Sequence, residues 1–103
     1  MSWLFLFAAG LLEVLWAYGM KRSDGFSALG PSILTVIAML ASFALLSLAM
    51  KSLPLGTAYT IWTGIGALGA FVVGVLVFGE QASALRIASA GLILAGVVGL
   101  KLG

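Results

Sequence analysis

The sequence of 103 residues has a single acid inside an apolar stretch, Glu13, and this residue is the best placed to do chemistry. The other two acids, Asp24 and Glu80, lie in polar breaks, where a solvated charge is the ordinary explanation. A charge near the centre of a membrane helix costs at least about 2.5 kcal/mol on insertion scales, so such residues usually have a function. We therefore expect Glu13 to bind cations or protons. The alternative is an acid that stays protonated and hydrogen-bonded inside the protein.

Two further residues of the first apolar stretch share a helical face with Glu13. Gly10 lies three residues before the acid and Trp16 three residues after it. Side chains three or four positions apart are neighbours on a helix surface. The small residue beside the acid leaves room for a ligand, so the spacing predicts a binding site on this face.

A second face with suitable chemistry lies on a later apolar stretch, where Tyr59, Trp62 and Thr63 supply two aromatic rings and a hydroxyl group. Tyr59 also fits an interfacial aromatic belt, whereas Trp62 lies deeper. A carboxylate that faces aromatic rings suits an organic cation, because the ring faces add cation–π attraction. A planar guanidinium fits best, since it can bind a carboxylate through two parallel N–H donors and loses its hydration more easily than an ammonium.

The same acid can also couple transport to protons. A buried carboxyl group favours its neutral form, and a second Glu13 across a dimer interface would strengthen this preference. The acid would then hold a proton whenever no cation is bound, so that a site facing each side of the membrane in turn exchanges cations for protons. A broader exporter of quaternary ammonium compounds and a non-transporting membrane bundle are the alternatives.

Four apolar stretches separated by short polar breaks must position these residues. The chain is 63% hydrophobic and only 8% charged, whereas ordinary soluble domains carry about 25% charged residues. Each stretch is long enough to span a bilayer as a helix, and the short breaks make neighbouring helices antiparallel. The sequence thus predicts an all-α integral membrane protein, with one domain over residues 1–103 and helices at about 3–20, 32–50, 57–78 and 84–101.

Composition also excludes several classes of function. Cysteine and histidine are both absent, which argues against disulfides, thiol chemistry, zinc sites and any other metal centre. No glycine-rich phosphate loop or nucleophile–base pair is present, so we expect neither an enzyme nor a bound cofactor. The net charge of +2 reflects few acids rather than a basic patch, so nucleic acid is not an expected partner.

Small residues at every fourth position provide candidate packing faces, either within the chain or between subunits. One set is Gly66, Ala70 and Gly74 on the third predicted helix, and the other is Gly91, Ala95 and Gly99 on the fourth. Glycines also weaken the third helix, so Gly64 and Gly66 predict a bend there.

The basic residues give almost no preference for one orientation in the membrane. Lys51, Lys101 and the N-terminal amine fall on one side, and Lys21, Arg22 and Arg86 on the other. Either the chain has a preference that this count does not reveal, or it inserts both ways, which permits an antiparallel dimer. Since four packed helices leave little room for a polar pathway, we expect an oligomer.

Three long runs and one short one are together specific: Gly10 to Ala17, Lys51 to Tyr59, Ile61 to Ala67 and, near the end of the chain, Gly99 to Lys101. Through these runs nearly the whole chain resembles the small multidrug resistance transporters, and in particular their guanidinium-exporter branch. Trp16 favours that branch, because exporters of bulky aromatic cations generally have a small residue at the matching position.

The resemblance implies an antiparallel, dual-topology homodimer in the bacterial plasma membrane. In the family, two copies of the residue matching Glu13 form one site that protons and substrate share. The resemblance further implies that Trp16, Ser42, Tyr59 and Trp62 line this site and position the acids. Ser42 is named on the resemblance alone, since a lone serine in a membrane helix usually bonds to its own backbone.

Overall fold

The computed structural model describes all 103 residues and contains four helices. They are α1 (Ser2–Arg22), α2 (Leu29–Ala49), α3 (Leu55–Phe78) and α4 (Ala84–Leu102). Each of them is long and apolar enough to cross a membrane. The expected fold of four membrane-spanning helices without strands is confirmed.

The ends of the helices differ from the predicted ends by up to three residues. Helix α1 continues through Lys21 and Arg22, where two cations oppose the negative end of the helix dipole. Helix α2 begins earlier than expected, at Leu29, because Pro31 fits within the first turn, where a missing N–H costs nothing. Helix α3 begins directly after Pro54, which has an extended backbone.

Local hydrogen bonds fix the turns between the helices. Ser23 is fully buried, and its hydroxyl donates to the Met20 carbonyl at 2.7 Å and accepts from the Phe26 N–H at 3.1 Å. Gly79 ends α3 in the left-handed region at φ 67°, which glycine adopts without strain. The hydroxyl of Ser83 caps α4 by accepting from the Arg86 N–H at 3.2 Å.

The helices lie side by side in the order α2, α1, α3, α4. Helix α1 packs along both α2 and α3. Helices α2 and α3 meet mainly through side chains around Trp62, and α4 packs mainly against α3, with Lys101 over the Trp3 ring of α1. The molecule measures 40 × 34 × 16 Å, and 34 Å is enough for four helices at the usual spacing of about 8–10 Å. A flat layer of this kind exposes much of every helix.

A small core joins the first three helices near one end of α1. Its seven buried residues are Leu6, Ala9, Leu46, Ala49, Ala58, Ile61 and Trp62. Helix α4 contributes no buried residue to the fold. Nearer the other end of α1, Gly19 packs against the hydroxyl of Thr35 on α2. The tight part of the fold is therefore built from α1, α2 and α3.

Candidate functional site

The side chain of Glu13 lies where α1 meets α3, directly over Gly66. A Cβ atom at position 66 would overlap the carboxyl group of the acid. Close contacts flank this point, since a Cβ at Gly10 would lie 2.6 Å from Cγ2 of Ile65, and Val14 covers Gly69. Glycine at position 66 is therefore what allows the acid to sit between the two helices.

Two buried polar atoms on α1 have no hydrogen-bond partner within the chain, namely Oε1 of Glu13 and Nε1 of Trp16. Most buried polar groups in proteins are paired, and an unpaired one costs about 1–3 kcal/mol. One of these atoms is an acceptor and the other a donor. Both belong to residues that the sequence assigns to the site, and the chain by itself pairs neither of them.

Ser42 joins three helices through its hydroxyl group. Its Oγ donates to the Ala9 carbonyl of α1 at 2.7 Å and accepts from Nε1 of Trp62 on α3 at 3.0 Å. Ala9 lies one helical turn before Glu13, so Ser42 ties the backbone of α1 near the acid to the indole ring of Trp62. The sequence did not predict these partners. Ser42 is the only polar group in its part of α2, and an apolar helix gives no sign of which neighbouring helix a lone serine faces.

Trp62 is buried between two other aromatic rings. Its ring centroid lies 5.5 Å from that of Tyr59 and 5.9 Å from that of Phe43 on α2. These rings line a groove of about 450 Å³ between α2 and α3, and Tyr59 is 52% exposed beside it. The sequence did not identify Phe43, because an aromatic residue on a helix that is apolar on all sides carries no distinguishing signal.

Thr63 lies apart from Trp62 and Glu13. It lines a groove of about 400 Å³ between α3 and α4 together with Tyr59 and Gly64. Successive residues are about 100° apart around a helix, and α3 has different neighbours on its two sides. The structure thus turns Trp62 towards α2 and Thr63 towards α4, so they do not form one surface.

The glycines of α3 and α4 differ in their surroundings. Helix α3 is unbroken from Leu55 to Phe78, with Gly64 packed against Val97, and a bend at Gly64 and Gly66 stays a prediction. On α4, Cβ atoms at Gly91 and Gly99 would meet nothing within 4 Å. Ala95 is likewise exposed. These three residues pack against no helix of this chain, and their role between subunits stays a prediction.

Four membrane-spanning helices and one acid within them define a small multi-pass membrane protein. The Small Multidrug Resistance protein family matches residues 1–93, and the chain belongs to this family. The family identification made from the sequence is thereby confirmed.

Curated relatives align with nearly the full length of the chain. A protein of Salmonella typhimurium is 63% identical over 102 residues, which cover 99% of this chain and 97% of the relative. A protein of Yersinia pseudotuberculosis is 62% identical and covers 99% and 98%, and one of Citrobacter freundii is 59% identical and covers 99% and 97%. All three are named guanidinium exporter. The chain is accordingly a transporter rather than an enzyme, and a multi-pass protein of the bacterial inner membrane.

Proposed function

We propose that this protein is a proton-coupled antiporter that exports guanidinium and small guanidinyl cations. The observation that carries the proposal is the carboxyl group of Glu13, which is held against Gly66 with an unpaired oxygen in a membrane-spanning layer. Relatives that are named guanidinium exporter support guanidinium as the cargo. Protons and guanidinium compete for the same carboxylate, so that each excludes the other.

Guanidinium matches the available groups better than other cations of similar size. Its parallel N–H donors can pair with both oxygens of a carboxylate, and its flat face can stack on indole and phenol rings. Trp16 and the Tyr59–Trp62 pair supply such rings. Ser42 holds Trp62 by a hydrogen bond of 3.0 Å, so its role in the proposal is to orient the ring.

Transport requires two copies of the chain in this proposal. Glu13 is only partly buried within one chain, and the flat arrangement of the helices gives it no cover from α2 or α4. A second chain in the opposite orientation would bring its own Glu13 to the same cavity and would supply the inverted half that transporters use for alternating access. The balanced count of basic residues on the two sides supports this antiparallel homodimer.

The test is guanidinium uptake into proteoliposomes with an imposed pH gradient. Glu13→Gln removes the only acid within the membrane spans, so we expect proton-driven uptake to fall to the level of protein-free vesicles. Asp24→Asn is the matched control, because it removes an exposed loop carboxylate at a left-handed position (φ 49°) that asparagine also adopts. Robust proton-driven uptake by Glu13→Gln would contradict the proposal. A bulky quaternary ammonium cation, assayed in parallel, distinguishes the broader exporter.

A further inference from the structure

A groove at the membrane surface leads towards the level of Glu13 from one end of α1 and α3. This interfacial groove has a volume of about 340 Å³ and includes Val14, Ala67, Tyr18, Lys21, Phe78 and Glu80 among its lining residues. Val14 directly follows Glu13, and Ala67 directly follows Gly66. From Val14 to Lys21 the helix rises by about 10 Å at 1.5 Å per residue. The groove therefore joins the level of the buried acid to the end of the helices.

Two aromatic rings at the outer end of this groove already hold a guanidinium group. The centroids of Tyr18 and Phe78 are 5.8 Å apart, and the guanidinium carbon of Arg22 lies 5.4 Å from the first and 5.1 Å from the second. Nε of Arg22 also donates to the Tyr18 hydroxyl at 3.1 Å. These distances are within the range of cation–π interactions.

A carboxylate lies in the same groove. The carboxyl group of Glu80 packs over Gly74, one helical turn before Phe78, and it lines the groove together with Lys21. Nζ of Lys21 is 6.0 Å from the Phe78 ring, at the outer limit for a cation–π contact. The groove thus offers aromatic faces and one acid to a cation; Lys21 lines it, and Arg22 lies over the Tyr18 and Phe78 rings at its outer end.

We propose that the interfacial groove is a second binding site for guanidinium-type cations, in which the side chain of Arg22 is a tethered internal occupant. An incoming guanidinium displaces Arg22 from the Tyr18 and Phe78 rings and is held near Glu80 before it moves to or from Glu13. Arg22 is exposed and lies at the end of α1, so its side chain can swing into water. The identity of the cation rests on the proposed function, whereas the existence of the site does not.

The experiment places 3-fluorotyrosine in the protein and follows the ¹⁹F resonance of Tyr18 during titration with guanidinium chloride, with sodium chloride as the salt control. The label also enters Tyr59, and Tyr59→Phe assigns the two resonances. All samples carry Glu13→Gln, which removes the deep site. We expect a saturable shift of the Tyr18 resonance and its loss in Phe78→Leu.

The decisive comparison is between a variant that lacks Arg22, the internal occupant, and a variant that lacks a different arginine. Arg22→Gln should strengthen the apparent affinity of guanidinium roughly three-fold, because a competing cation–π contact of modest strength disappears. Arg86→Gln is the matched control, since it removes an exposed arginine near the start of α4 that lies in a different groove, whereas Arg22 lies over the Tyr18 and Phe78 rings. A gain confined to Arg22→Gln supports the site, because simple damage to the fold would weaken binding.

Three results would overturn the inference. They are a Tyr18 resonance that never responds to guanidinium, equal affinities for Arg22→Gln and Arg86→Gln, and a response that follows the content of anionic lipid in the vesicles and ignores guanidinium. The last result would identify a lipid headgroup site. Because the titration uses Glu13→Gln protein, its outcome is independent of whether that variant transports, so failure of the proposed function is distinguished from failure of this site.

Discussion

Two stripes of small residues with the same spacing have opposite surroundings in this protein. On α3, the carboxyl group of Glu13 covers Gly66 and that of Glu80 covers Gly74. On α4, Gly91 and Gly99 face open space. Membrane helices use small residues wherever another group must approach closely. The filled stripe therefore accommodates acids of the same chain, and the open stripe is the one that a second chain can use.

The largest effect should follow from adding a methyl group to the filled stripe on α3, at Gly66. Gly66→Ala places a methyl group where the Glu13 carboxyl lies, and overpacking of this kind costs about 1–3 kcal/mol. We expect guanidinium uptake in proteoliposomes to fall roughly ten-fold or more, because the acid must leave its place. Gly30→Ala is the control, since a Cβ at position 30 meets nothing within 4 Å. Normal uptake by Gly66→Ala would mean that the acid works from another position.

A smaller effect, of a different kind, is expected at the open stripe. The double change Gly91→Leu and Gly99→Leu should weaken dimerisation about ten-fold by preventing close approach of another helix. The helical content measured by circular dichroism should stay unchanged, because neither residue packs within the chain. Chemical cross-linking at graded protein-to-detergent ratios measures the dimer. An unaltered dimer would show that α4 packs against lipid instead.

The next smaller effect is expected from breaking the hydrogen bond between Ser42 and Trp62, in the core shared by α1, α2 and α3. Ser42→Ala leaves the buried Nε1 of Trp62 without its partner, at a cost of about 1–3 kcal/mol. We expect the KM for guanidinium to rise roughly three- to ten-fold as the ring loses its orientation. Ser32→Ala, whose hydroxyl on the same helix bonds only to the carbonyl of Ala28, should transport normally. An equal response of both variants would exclude a positioning role for Ser42.

The smallest effect is predicted at Thr63, which lies on the side of α3 that faces α4. Thr63→Val keeps the shape of the side chain and removes an exposed hydroxyl group. Because the site built around Glu13 and Trp62 lies on other sides of α3, uptake should change less than about two-fold, within the usual range for exposed positions. A loss comparable to that of Ser42→Ala would place Thr63 in the transport pathway of the assembled dimer.

The sequence predicted the four spans, and it singled out Glu13 as the candidate site residue, because both depend on strong contrasts in polarity. Long apolar runs stand out from polar turns, and one acid stands out within such a run. The partners of each helix face were not predictable in the same way. Lipid and protein interiors are similarly apolar, so periodicity does not distinguish the side of α3 that meets α1 from the side that meets α4.

Particular residues show which contacts between helices could not be predicted from the sequence. Tyr59, Trp62 and Thr63 were expected on one surface. In the structure, Trp62 faces α2 and Thr63 faces α4. Ser42 entered through the family resemblance alone, and its bonds to Ala9 and Trp62 depend on the crossing of three helices. The starts of α2 at Leu29 and of α3 at Leu55 depend on the fit of proline rather than on hydropathy.

The shallow packing of α4 also determines the order in which the helices separate on unfolding. A helix that contributes no buried residue and packs on one side only gains little from its own chain, and segments with few contacts open at the lowest free energy. Lipid, or a partner chain, therefore supplies most of what keeps α4 in place. When a harsh detergent replaces the bilayer, α4 should separate first, while α1, α2 and α3 stay joined through their shared core.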